Sequence, residues 1–118
     1  MAGCTASRWP LHSPSQPFPV VITKSVHHRL NSIVEELSGV REEARVLAEQ
    51  LAFSREVMDE ARIRALVAET PLADRELRIA SDDVGRMERG LAELDGRVRM
   101  LLEERDRLLG EVARREPA

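Results

Sequence analysis

From Val26 onward, apolar and small side chains recur at Val26, Leu30, Ile33, Leu37, Val40, Ala44, Leu47, Leu51, Ser54, Met58, Ala61, Ala65 and Ala68, with spacings that alternate four and three. Such an alternation, sustained over this length, is the a/d pattern of a coiled coil. Leu30, Leu37 and Leu51 fall at a, and Ile33, Val40 and Leu47 at d. A second series runs through Ala73, Leu77, Ala80, Val84, Met87, Leu91, Leu94, Val98, Leu101, Arg105, Leu108 and Val112 with the same alternation. Its phase does not continue the first. Extending the first register would put Arg75, Asp82 and Arg86 in the seam, so the pattern breaks near Thr70 and Pro71. Proline disfavours helical geometry in the residue before it but fits the first position of a helix, where Thr70 can serve as the N-cap. The expected elements are a helix over 24–68, a turn at 69–70 and a helix over 71–115.

If the second helix folds back on the first, each a residue shares a layer with a d residue of the other strand and the residue numbers in every layer have one constant sum. One register satisfies this for Leu30 with Leu108, Leu37 with Leu101, Val40 with Val98, Leu47 with Leu91 and Leu51 with Met87. It also sets large residues against small ones: Ala44 with Leu94, Ser54 with Val84, Met58 with Ala80 and Ala61 with Leu77. Alternation of this kind fills a seam without strain. Flanking charges agree, with Arg29 near Glu111, Arg41 near Asp95, Glu43 near Arg97, Arg62 near Asp74 and Arg64 near Glu76, while Glu36 beside Glu104 is adverse. An uninterrupted long helix is the alternative and would lack these matches. The expected fold class is all-α: an antiparallel two-helix coiled-coil hairpin with a disordered N-terminal tail, associating into a four-helix bundle.

The bundle is expected because two apolar groups fall outside the seam. Val34, Leu102 and Leu109 occupy e positions at the open end, and Val46, Phe53 and Val57 gather on the g side. Contiguous exposed apolar groups mark interfaces. A homo-oligomer or a helical protein partner would cover them. Arg105 stands at a seam position opposite Ile33, where an Arg whose head reaches water is a simpler reading than a ligand-binding Arg.

Residues 1–23 carry Pro10, Pro14, Pro17 and Pro19 among Ser, Gln and His, and are expected to form a disordered Pro-rich tail. The chain has no Tyr, one Trp and two Phe, so aliphatic side chains must supply the core. A 33% charged fraction with both signs interleaved and a formal charge of −3 argues against nucleic acid, which needs a concentrated basic surface. Cys4 is the single cysteine, which leaves no intramolecular disulfide and favours a cytoplasmic setting. No signal peptide or membrane span is expected. Lys24 is the only lysine, a bias towards Arg that leans to a GC-rich bacterial source.

Candidate chemistry is sparse. Glu69, Asp74 and Glu76 put three carboxylates at the turn, as contacts for a partner's metal centre or as first-turn acids that complement the helix dipole. His27 and His28 are adjacent and face different directions, and no Cys or His cluster supports a metal. With no phosphate-binding loop and no nucleophile beside a base, neither an enzyme nor a cofactor is expected. In topology the hairpin resembles small helical-hairpin secretion substrates, although its turn reads E-T-P-L-A where they carry W-x-G. It also resembles transcript-cleavage factors of the Gre type, which present an acidic tip as Glu69 and Asp74 would. The leading expectation is a non-enzymatic interaction or scaffolding protein. The alternative is a regulator that inserts its acidic tip into a larger enzyme such as RNA polymerase. Cysteines placed at Ala44 and Leu94, or at Met58 and Ala80, should crosslink within one chain in dilute oxidising solution; exclusively intermolecular crosslinks would show instead that the strands do not fold back about Glu69.

Overall fold

The computed structural model describes the backbone of residues 17–115 and the side chains of residues 24–115. Two helices make up this span, α1 at Pro17–Ala68 and α2 at Pro71–Arg115, with no strand among the described residues. The end of α1 and both limits of α2 agree with the sequence pattern. The start of α1 does not: it lies at Pro17, ahead of the Lys24 expected. Pro17 and Pro19 fall in the first helical turn, where backbone N–H groups have no intrahelical acceptor and a missing donor is tolerated. The remainder of the expected tail, residues 1–16, lies outside the described residues.

Between the helices, Glu69 takes a left-handed conformation with φ of 52°. Its N–H donates to the Ala65 carbonyl at 3.2 Å, closing the last turn of α1. Thr70 is the N-cap of α2. Its Oγ1 accepts from the Ala73 N–H at 3.2 Å, and its carbonyl accepts the first intrahelical bond, from Asp74 N–H, at 3.1 Å. Asp74 in the first turn of α2 and Arg114 and Arg115 in the last complement its dipole.

The described residues divide into two units, one made of residues 17–35 with 103–115 and the other of residues 36–102. In the first, Ile33 is fully buried, and Val26, Leu30, Leu108 and Val112 are half-buried. Full burial of an Ile side chain contributes about 1.5–3 kcal/mol. Arg29 grips Glu104 with a two-point fork, Nε to Oε2 at 2.8 Å and Nη2 to Oε1 at 2.7 Å. Glu104, rather than the expected Glu111, receives this fork, and it gains a cation where an adverse neighbour was expected. The hydrogen bonds from Arg29 hold the Glu104 carboxyl below the usual carboxylate range. Arg105 is partly exposed and turns its guanidinium to Asp106 at 3.2 Å, as an Arg whose head reaches water should.

In the second unit α2 runs back alongside α1. Leu37, Val40, Leu51 and Ala61 of α1 and Ala73, Ala80 and Val84 of α2 are buried, and Ala44, Leu47, Ser54, Met58, Ala65, Leu77, Met87, Leu91, Leu94, Val98 and Leu101 are half-buried. All are positions the heptad pattern assigns to the seam. Arg55 meets Glu88 at 3.0 Å, and Arg64 meets Glu76 at 3.8 Å, the latter as expected. Arg62 bonds Asp59 on its own helix at 3.1 Å instead of Asp74. A pair three residues apart on one helix is already in reach, whereas a cross-helix pair must extend two side chains over the seam.

The turn makes two opposite predictions. Glu69→Gly should raise stability by about 1 kcal/mol, because the left-handed region costs an L-residue that much and glycine almost nothing. Thr70→Ala should lower it by about 1 kcal/mol through the lost cap. Chemical denaturation of both variants checks this, and equal effects of the same sign would contradict the turn geometry.

Candidate interaction face

The seam leaves the second unit with large apolar side chains on its surface. Of the expected g-side group, Val46 is 38% exposed, Phe53 67% and Val57 37%. Phe53 is the only Phe, Tyr or Trp among the described side chains. Toward the turn, Ile63, Val67, Leu72 and Ile79 are also exposed. These four do not belong to the expected group, although a signal for three of them is present. Val67 stands two heptads beyond Phe53, and Leu72 and Ile79 stand one heptad apart on α2, each next to a seam residue.

Three shallow grooves follow this side. One, at the turn, is lined by Ile63, Val67, Leu72 and Ala73, and a second by Val57, Ala61, Ile79 and Ala80. Arg64 and Glu76, which pair at 3.8 Å, line both. The third is lined by Gly39, Val46, Leu47 and Leu94 together with Glu42, Glu43 and Gln50. Beside it, Arg45 bridges Glu42 at 2.6 Å and Glu49 at 2.8 Å. The hydrogen bond from Arg45 lowers the Glu42 carboxyl, and the two carboxylates raise the guanidinium in turn.

The other expected site residues are not gathered in the same way. Val34 and Leu109 are exposed and belong to the first unit, whereas Leu102 is the last residue of the second and is half-buried, so it is less open than expected. Glu69, Asp74 and Glu76 are all exposed at the turn, with Glu76 tied to Arg64. His27 and His28 are exposed, and no group of three or more His, Cys, Asp or Glu able to hold a metal occurs among the described residues. No described helix is long and apolar enough to cross a membrane.

The glycines of the two helices differ in their surroundings. A Cβ on Gly39 or Gly96 would meet nothing within 4 Å, but on Gly90 it would come within 3.3 Å of Leu47 Cδ2. Gly90 therefore lies against a seam residue. Compared with protein-family models, with curated proteins and with solved structures, the chain finds no match.

Gly96→Ala should stabilise α2 by about 1 kcal/mol, the usual difference in helix propensity. Gly90→Ala should gain clearly less or lose stability, because Leu47 must shift to admit the methyl group. Equal gains at both positions in thermal melts would show that Leu47 does not press on Gly90.

Proposed function

We propose that this chain is a non-enzymatic, cytosolic coiled-coil interaction module. Its seam holds the helices together, and its g-side face binds either another copy of the chain or a helical partner. The observation that carries this reading is the exposure of Val46, Phe53, Val57, Val67, Leu72 and Ile79 along one side of a unit whose seam is already filled. Surface side chains of this size contribute little to the fold that displays them. They contribute to binding when a second apolar surface excludes water from them, at roughly 25 cal/mol per Å². The Arg64–Glu76 pair would fix orientation on such a face more than affinity, since exposed ion pairs are worth about 0.2–1 kcal/mol. The turn supports a tip-inserting regulator less well, because Arg64 already engages Glu76 and Asp74 lies in the first turn of α2.

A photoreactive phenylalanine analogue at Phe53 tests the proposal in living cells. The expected outcome is a discrete adduct, either with the chain itself or with one helical protein, lost when Val57 is replaced by Glu. The same analogue at Ala48, an exposed position on the opposite flank of α1, should give none. Absence of any adduct at Phe53 would remove the basis for the reading.

A further inference from the structure

We infer that the outward faces of the two helices, one acidic and the other basic, dock α1 of one copy of this chain against α2 of the next, so that copies stack side by side. This contact uses neither the seam nor the g-side face, and so goes beyond the interaction-module reading.

Within the second unit, the stripe of α1 that faces away from the seam runs Glu42, Arg45, Glu49, Ala52, Glu56 and Asp59, spaced three and four in turn. Arg45 is its one cation, shared between Glu42 and Glu49, so the stripe stays acidic. The corresponding stripe of α2 carries Arg75, Arg78, Arg89 and Arg99, with Asp82 as its one acid. All these charged side chains are exposed. Positions opposite the seam on two antiparallel helices point away from each other, so the two sets of charges cannot meet within one chain. Arg75, Arg78, Arg89 and Arg99 accordingly have no ion-pair partner among the described residues, and neither has Glu56. Complementary potentials select partners and steer their encounter. Here the complement of each face lies on the same molecule, where that face cannot reach it, and a second copy supplies it. Two different faces in contact make a heterologous interface, which repeats along a row instead of closing on a dimer. Between Arg89 and Arg99, Ala92 and Gly96 lower the surface of α2, and a Cβ on Gly96 would meet nothing within 4 Å. A neighbouring helix can come close there while the arginines reach its carboxylates. The formal charge of −3 is too small to hold copies apart.

Sedimentation velocity of the full chain under reducing conditions tests the stacking. At about 20 mM salt the sedimentation coefficient should keep rising with concentration, past the value of a dimer, and at about 300 mM the association should weaken roughly ten-fold or more, because salt screens exposed charges. Two sets of substitutions then exchange the signs. Glu49→Lys, Glu56→Lys and Asp59→Lys together make both outward faces basic, and Arg75→Glu, Arg89→Glu and Arg99→Glu together make both acidic. Either set alone should abolish the association, and an equimolar mixture of the two should restore it to within about three-fold of the wild type. Circular dichroism should show both sets fully helical, since every substituted side chain is exposed. Phe53→Ala should leave the low-salt association intact. Association that is lost with Phe53→Ala but kept in both exchanged sets would overturn the stacking and leave the interaction-module reading standing. A mixture that stays monomeric, or a wild-type chain that does so at low salt, would overturn the stacking whatever the Phe53 photoadduct shows.

Discussion

Two helices in contact can bury one stripe each, and every other feature of this chain follows from that limit. The seam is assembled mainly from Leu, Val, Ile, Met and Ala, with Ser54 and Arg105 as its polar members and no aromatic residue, because a stripe one side chain deep has no interior in which to hide a large ring. Only Ile33 among the larger described side chains is wholly removed from solvent. Most seam residues remain half-covered, so each contributes less than the full transfer value of a buried aliphatic. A core this thin is marginal without further cover.

The turn converts two independent stripes into one contact. Glu69 leaves the helical region, Thr70 caps the new helix, and Pro71 begins it with the ring that would have broken the old one. These residues set where the chain reverses, and the reversal sets which a residue meets which d residue. Small partners then fix how close the helices come. Ala61, Ala73 and Ala80 are buried near the turn, and Gly90 brings its backbone against Leu47 further along. Ion pairs play a lesser part; between the helices, Arg29 with Glu104 has the two-point geometry that restrains both side chains.

Much of this was legible in the sequence because the heptad pattern and the turn chemistry are local signals that agree with each other. The seam residues and the ends of both helices around Thr70 follow from spacing and from one Thr-Pro pair. A start of α1 at Lys24 follows only if every proline is treated as a breaker, whereas within the first turn of a helix prolines are tolerated. Charge partners were the least legible. Arg29 takes Glu104 where the spacing pointed to Glu111, and Arg62 takes Asp59 where it pointed to Asp74, because side-chain geometry is not encoded in the spacing. The exposed face was half visible. Val46, Phe53 and Val57 cluster within one stretch of α1, whereas Val67, Leu72 and Ile79 are scattered across the turn and come to the same side only through the antiparallel register.

The position of Gly39 and Phe53 on one stripe connects these levels. A glycine within a helix costs about 1 kcal/mol relative to alanine, and an exposed phenylalanine adds nothing to a seam it does not touch. Considered within one chain, each is a small defect of design. Neither is explained by packing within the hairpin, since a Cβ at Gly39 would meet nothing within 4 Å and Phe53 is 67% exposed, so the residues of this stripe are not set by the seam beside them.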